Sequence, residues 1–331
     1  MSLPKIAIVG TGGTIASVGR HSLELATYMS TGKVFSLDEV LEQVPELDRV
    51  ADVVRAPFRQ VHSTAFGPAE WPELAAHIEA TLAADPAIAG CVVTHGTATL
   101  EETAYFLNLT LKADRTVVLV GAQRPPTGLS TDAFLNLVNA ARVAGAAEAR
   151  GLGVLVCLND EIHAAREATK TSTLRLQTFR SPDMGLLGHA DPDRIAIYRR
   201  PVRAHAPETP FRADAPLPRV DLAMSYAGSD GGQIRGLLGL DPAAIVVAGF
   251  APGLVSPGEK DAMQAARDAG VHVIQATRAL SGRVVEIPGH RPDGVVVADN
   301  LSPQKARVLA MVALANGAAS PAELQAAFDR Y

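Results

Sequence analysis

Apolar residues along this chain fall into short unbroken runs, separated by stretches in which they recur at helical spacing. In the first half the runs cover residues 6–9, 91–93, 117–120 and 154–158, and the helical spacing covers 37–44, 71–84, 100–112 and 132–147. Continuously apolar strands with helices between them predict a parallel sheet covered on both faces. The same alternation returns later, with strands expected over 220–224, 244–248, 271–274 and 295–297 and helices over 259–269 and 302–316. The last helix has a starting signature, Ser302 as N-cap followed by Pro303 at the first helical position. Between the two alternations, from about residue 191 to 219, the chain is rich in Arg and Pro and loses its period. That stretch reads as a linker or a surface crossover, and its cluster of Arg199, Arg200 and Arg203 as a solvated face.

The pattern predicts an α/β protein. A larger N-terminal domain over 1–195 carries a doubly wound, mostly parallel sheet. A linker over 196–218 leads to a smaller C-terminal α/β domain over 219–331. Composition agrees with this: 331 residues, 47% of them hydrophobic and 20% charged, supply enough apolar surface for two cores and exclude a disordered or collagen-like chain. The net charge of −5 gives no reason to expect nucleic acid as a partner. No apolar stretch reaches the ~18 residues of a membrane span, so no membrane association is expected. Cys91 and Cys157 both lie inside apolar runs and read as reduced core thiols. The opening segment MSLPKIAIVG is short for a signal sequence and reads as a first strand, so the expected compartment is the cytoplasm.

Ligands of open α/β sheets bind beyond the carboxyl ends of the strands. Two of those ends have the same form. After residues 6–9 comes Gly10-Thr11-Gly12-Gly13-Thr14-Ile15, and after 91–93 comes Thr94-His95-Gly96-Thr97-Ala98-Thr99. Glycine lets the backbone turn tightly and approach a ligand, and the threonine places a hydroxyl at the rim. The first turn begins like a dinucleotide fingerprint, but Ile15 stands where the third glycine is needed, and there is no Gly-Lys-Ser/Thr phosphate loop. No His-Glu-x-x-His or paired-cysteine site is present, so neither a catalytic metal nor another cofactor is expected. His95 reads equally as a packed turn residue or as a base. Lys170 stands out because the chain holds six Lys against 24 Arg. A buried lysine can be neutral and act as a base where arginine cannot. In Thr169-Lys170-Thr171 it is either that base or a surface lysine in a polar loop.

These residues resemble those of the bacterial L-asparaginases, the asparaginase/glutaminase family with a threonine nucleophile. The resemblance rests on Thr11-Gly12-Gly13-Thr14-Ile15-Ala16 and on Thr94-His95-Gly96-Thr97 with Glu101-Glu102-Thr103-Ala104. It extends in order through Gly32-Lys33-Val34, Gly121-Ala122-x-Arg124-Pro125, Asn159-Asp160, Thr169-Lys170-Thr171 and Pro303-Gln304-Lys305-Ala306-Arg307-Val308. It implies an amidohydrolase that converts a small-molecule side-chain amide to acid and ammonia through an acyl-enzyme on Thr14. Tyr28, in a mobile loop from about Ser17 to Lys33, would assist removal of the Thr14 proton. Thr97 and Lys170 would form a second hydroxyl–amine pair. Peptide N–H groups near Gly13-Thr14 and Thr97-Ala98 would meet the oxyanion, Ala122 would line the amide pocket through its backbone, and Ser63 would hold the substrate carboxylate. The resemblance also implies a homotetramer built from dimers.

Four positions depart from the family pattern. Ala98 stands where the asparaginases carry an aspartate that meets the substrate α-ammonium. Thr64 stands where they carry a glutamine. Ala251-Pro252-Gly253 replaces a segment with an asparagine, and Glu286 is the candidate for a glutamate brought by a neighbouring subunit. The acceptors around a substrate ammonium are therefore depleted, while the nucleophile and its lysine are kept. The expected substrate is L-asparagine or an amide whose α-amino group is absent or masked. Two other readings of the same fold are a non-catalytic small-molecule sensor and an ammonia-supplying amidotransferase subunit. The latter's extra N-terminal domain is not expected where the first strand starts at residue 5.

Overall fold

The computed structural model describes residues 2–289 and 292–331. Its contacts divide the chain into two units, Met1–Thr209 and Pro210–Tyr331.

In the first unit the chain runs β1 (Lys5–Gly10), α1 (Leu37–Glu42), β2 (Asp52–Pro57), α2 (Trp71–Ala84), β3 (Ile88–Thr94), α3 (Leu100–Thr110), β4 (Thr116–Val120), α4 (Ala133–Gly145), β5 (Val154–Leu158), β6 (Glu161–Ala164), β7 (Thr169–Lys170), β8 (Phe179–Arg180), β9 (Gly188–Ala190) and β10 (Ile195–Ile197). One sheet has the order β10-β9-β6-β5-β4-β3-β1-β2. From β2 to β5 every neighbour is parallel. Successive side chains of a strand point to opposite faces. Ile6, Ile8, Val92, Val118 and Val120 pack on one face with Leu137 and Ala140 of α4 and Val40 and Leu41 of α1. On the other face lie α2 and α3, which pack against β1, β3 and β5. Both faces being covered is why these strands read as continuous apolar runs.

Two features of this sheet were not predicted. The edge strand β2 carries Asp52, Arg55 and Pro57 and is mostly exposed or half-exposed, so it has no apolar run to read. The helical alternation ends at Asn159-Asp160. Leu158 pairs with Glu161 across these two residues, and both take left-handed backbone, with φ of 52° and 62°. Asn and Asp tolerate that conformation, and a two-residue turn can only return the chain antiparallel. Every pairing beyond β5 is accordingly antiparallel.

The second unit contains β11 (Val220–Met224), α5 (Gly232–Leu238), β12 (Ala244–Gly249), α6 (Pro257–Asp268), β13 (His272–Thr277), β14 (Val296–Val297), α7 (Pro303–Ala315) and α8 (Pro321–Arg330). Its four strands are parallel in chain order. Ala223, Ile245, Val247 and Val273 pack with Ile234, Ala262, Met263 and Ala266 of α5 and α6, and α7 packs against β11, β12 and β13. Ser302 does stand at the N-cap of α7 with Pro303 after it, but its hydroxyl makes no capping bond. Capping boxes are instead closed by Ser256 with Glu259 on α6 and by Ser320 with Glu323 on α8. The spacing Ser320-x-x-Glu323 is the sequence signal that would have predicted α8.

Candidate active site

Three strand ends are held at one level of the sheet. Gly10 of β1 pairs with Thr94 of β3, and Thr94 with Val120 of β4. The turns that follow are stitched together: Thr11 donates its N–H and its hydroxyl to the Thr94 carbonyl at 3.1 and 2.8 Å, and His95 donates its N–H to Val120 at 2.8 Å. The two Gly-Thr turns are so close that no side chain fits between them. A Cβ on Gly13 would stand 2.3 Å from the Gly96 Cα, and one on Gly96 would stand 2.2 Å from the Ser63 Cβ. Gly13 also has a φ of 92°, which L side chains rarely adopt. Both glycines are therefore required by packing, and the result is that Thr14, Thr97 and Ser63 lie in adjoining turns.

Thr14 and Tyr28 meet directly, their hydroxyl oxygens 2.7 Å apart. Tyr28 comes from the segment after β1. The neck of that segment is closed by a bridge between Ser17 and Val34 and by a bond from Val18 N–H to the Lys33 carbonyl at 3.1 Å. Its body is tied to the turn after β4, with Gly19 N–H donating to Thr127 Oγ1 at 2.8 Å and Leu129 N–H to the Ser22 carbonyl at 2.8 Å. Inside it, Arg20 donates to the Glu24 carboxylate from its guanidinium and its main-chain N–H. These bonds, the guanidinium first, hold the Glu24 carboxyl down at about 2. Burial raises the Tyr28 phenol above its ordinary value of 10.0, and the charge of Asp132 adds to this against the opposing bond to Thr14. Tyr28 is thus a neutral hydroxyl at neutral pH.

Lys170, on the short ribbon of β7 and β8, meets the second turn. Its Nζ donates to Thr97 Oγ1 at 2.6 Å and to Gln123 Oε1 at 3.2 Å, and its main-chain N–H donates to Glu101 Oε2 at 2.9 Å. Burial lowers the Lys170 pKa from its ordinary 10.5, with the Glu101 charge acting in the opposite direction. Of the two readings left open by the sequence, the partly buried lysine aimed at a threonine is the one observed. Gln123 and Glu101 were not singled out in the sequence. The signal for Gln123 was its place in the turn directly after β4, and for Glu101 its place one helical turn beyond Thr97.

The other expected residues divide. Ser63 is half-buried beside Gly96, and its carbonyl accepts from Thr99 Oγ1 at 2.8 Å. Ala122 is fully buried in a turn anchored by the Asp132 carboxylate, which accepts from Gln123 and Arg124 N–H at 2.9 Å each. Ala98 is exposed at the start of α3. Thr64 is also exposed, and its hydroxyl is engaged by His62 Nδ1 at 2.8 Å. Pro252 and Glu286 are exposed residues of the second unit. His95 is a packed turn residue. Its Nδ1 sits 2.8 Å from the Gly96 carbonyl and its Nε2 3.1 Å from Thr103 Oγ1, and burial lowers its pKa to about 4. Cys91 and Cys157 are buried free thiols pushed up to about 12. No group of His, Cys, Asp and Glu among the described residues could hold a metal ion.

The chain that brings together the hydroxyl pair Thr14–Tyr28 and the hydroxyl–amine pair Thr97–Lys170 is similar to known proteins. The family profile for "Asparaginase, N-terminal" matches residues 5–203, and that for "Glutaminase/Asparaginase C-terminal domain" matches residues 219–328. The chain belongs to the asparaginase family. It is 38% identical over 334 residues to a glutaminase-asparaginase of Pseudomonas fluorescens biotype A, covering 99% of this chain and 91% of that one. It is 38% identical over 317 residues to a probable periplasmic L-asparaginase of Haemophilus influenzae, covering 94% and 89%. The crystal structure of a probable cytoplasmic L-asparaginase from Campylobacter jejuni superposes with a TM-score of 0.93 at 36% identity, covering 99% of both chains. The asparaginase fold therefore extends over both units of this protein.

Proposed function

We propose that this asparaginase-family protein hydrolyses the side-chain amide of a small carboxylic acid to the acid and ammonia, by way of an ester on Thr14. Thr14 Oγ1 attacks the amide carbon while the neutral Tyr28 hydroxyl accepts the Thr14 proton and passes its own on to the amide nitrogen. The C–N bond then breaks, and the nitrogen leaves as ammonia. Thr97, with Lys170 as its base, takes a proton from the water that attacks the ester carbon, so that the proton ends on Lys170. The bond from the acyl carbon to Thr14 Oγ1 breaks, and the Thr14 oxygen is reprotonated from solvent through Tyr28. Main-chain N–H groups of the Gly13-Thr14 and Thr97-Ala98 turns face the oxyanion, where one such donor contributes about 3–4 kcal/mol in other enzymes. Ser63 takes the substrate carboxylate, and the Ala122 backbone lines the amide pocket. The observation that carries this reading is the pairing of each turn's hydroxyl with its own proton partner, Thr14 with Tyr28 at 2.7 Å and Thr97 with Lys170 at 2.6 Å.

Ala98 and Thr64 bear on the substrate. Alanine offers no charge to an α-ammonium, and the loss of a charge-assisted hydrogen bond costs about 1.5–3 kcal/mol, which weakens an amino-bearing substrate by about ten- to a hundred-fold. The preferred substrate is thus an amide whose α-amino group is absent or masked, with free L-asparagine turned over less well. A homotetramer of paired dimers, with Glu286 of a neighbouring copy reaching the site, and a cytoplasmic location complete the reading. Relatives of this chain are named for both the cytoplasm and the periplasm.

The test is ammonia release from L-asparagine, L-glutamine, succinamate and N-acetyl-L-asparagine by the intact protein and by Thr14→Ala and Ala98→Asp. The reading expects succinamate or N-acetyl-L-asparagine to have the highest kcat/KM. It expects no turnover by Thr14→Ala and a shift toward L-asparagine in Ala98→Asp. Faster turnover of L-asparagine than of succinamate contradicts the substrate preference, and undiminished turnover by Thr14→Ala contradicts the chemistry.

A further inference from the structure

The carboxamide of Gln123 closes a triangle with the second hydroxyl–amine pair. Its Oε1 lies 3.2 Å from Lys170 Nζ and 3.2 Å from Thr97 Oγ1, and the third side is the 2.6 Å contact between lysine and threonine. The residue is buried and held at both ends. Its Nε2 donates to the Arg175 carbonyl at 3.1 Å, and its main-chain N–H donates to the Asp132 carboxylate at 2.9 Å. The Arg175 contact settles which way the amide faces, because a main-chain carbonyl can only accept. The amide nitrogen must point to Arg175 and the oxygen to Lys170 and Thr97.

We propose that Gln123 is a positioning residue that keeps Lys170 and Thr97 in contact through both protonation states of the lysine. The inference rests on the reading of that pair as catalytic. With Lys170 charged, its ammonium donates to Thr97 Oγ1 and to Gln123 Oε1, and the Thr97 hydroxyl donates to Gln123. With Lys170 neutral, its lone pair faces Thr97, the hydroxyl donates to Nζ, and a remaining amine N–H stays on Gln123. An amide oxygen has two lone pairs and serves as the fixed acceptor in both arrangements. A carboxylate in the same place would favour the ammonium and resist its deprotonation, whereas a neutral amide holds the lysine without adding charge. Glu101, in the first turn of α3, is then the carboxylate that faces Lys170. The nearby Asp132 carboxylate is taken up by the N–H groups of Gln123 and Arg124, and Arg175 reaches Gln123 through its main-chain carbonyl.

The experiment compares Gln123→Met, which keeps the length and removes the acceptor, with Gln123→Glu, which keeps an acceptor and adds charge. Ammonia release is followed against pH in the full protein, with thermal unfolding as the folding control and Lys170→Met in parallel. For Gln123→Met the expected result is a kcat lower by about ten- to a hundred-fold with KM little changed. For Gln123→Glu the expected result is an acid limb of the kcat profile moved to higher pH by about one unit or more, with recovery at high pH. A Gln123→Met protein with wild-type kcat and pH profile overturns the proposal, as does a Gln123→Glu protein whose acid limb does not move. If Gln123→Met does not fold, the pH profile of Gln123→Glu decides alone. An active Lys170→Met instead removes the underlying catalytic pair, which separates failure of that reading from failure of this one.

Discussion

The Tyr28 and Thr14 hydroxyl oxygens stand 2.7 Å apart across fourteen positions of chain. Tyr28→Phe removes the proton relay and leaves the ring. The expected outcome in steady-state ammonia release is a kcat lower by about a hundred-fold or more, with KM changed little. Because burial raises the phenol above 10.0, the wild-type profile should show no loss of activity from Tyr28 ionisation below that value.

Glu101 and burial act on Lys170 in opposite directions. Burial disfavours the ammonium and Glu101 favours it, so removal of the Glu101 charge leaves burial unopposed and lowers the lysine pKa further. Glu101→Gln retains an oxygen that can accept the Lys170 main-chain N–H. Its kcat–pH profile is expected to have its acid limb at lower pH than wild type. A limb that moves to higher pH contradicts this assignment of signs.

Glu24 clasps the segment that carries Tyr28. Its carboxyl is held at about 2 against an ordinary 4.5. A depressed carboxyl contributes stability that is present above the ordinary value and is lost as pH falls from there through the depressed one. Hydrogen exchange in residues 17–33 is expected to speed up between neutral pH and about pH 3, more than in α4 after correction for intrinsic rates. Glu24→Gln should show the fast exchange already at neutral pH.

Gly96 has no room for a side chain, since a Cβ would stand 2.2 Å from that of Ser63 and 3.2 Å from the Gly13 Cα. Gly96→Ala is expected to lower stability by about 1–3 kcal/mol, read as a drop in Tm. Activity should fall further than the unfolded fraction explains, because relief of the clash pushes the Ser63 and Gly13 turns apart.

The parallel sheet was legible because both of its faces are covered and its strands are apolar throughout. The edge strand β2, with Asp52 and Arg55, and the hairpin at Asn159-Asp160 were not, since neither leaves an apolar run. The two threonine turns were visible as Gly-Thr after a strand. The pairing of Thr97 with Lys170 spans 73 positions and followed only from resemblance. Gln123 escaped notice because an uncharged amide in a turn carries no signal until its neighbours across the sheet are known. The opposite held for Ser302, whose sequence signature was correct in place while its hydroxyl caps nothing.

The most direct test of the account is to trap the ester. Lys170→Met protein, incubated with succinamate and quenched in acid, is digested and analysed by mass spectrometry. The account predicts a succinyl group on the peptide carrying Thr14, released slowly because the water-activating pair is broken. A succinyl group on the peptide carrying Thr97 instead, or continued ammonia release with no ester on either threonine, would contradict it.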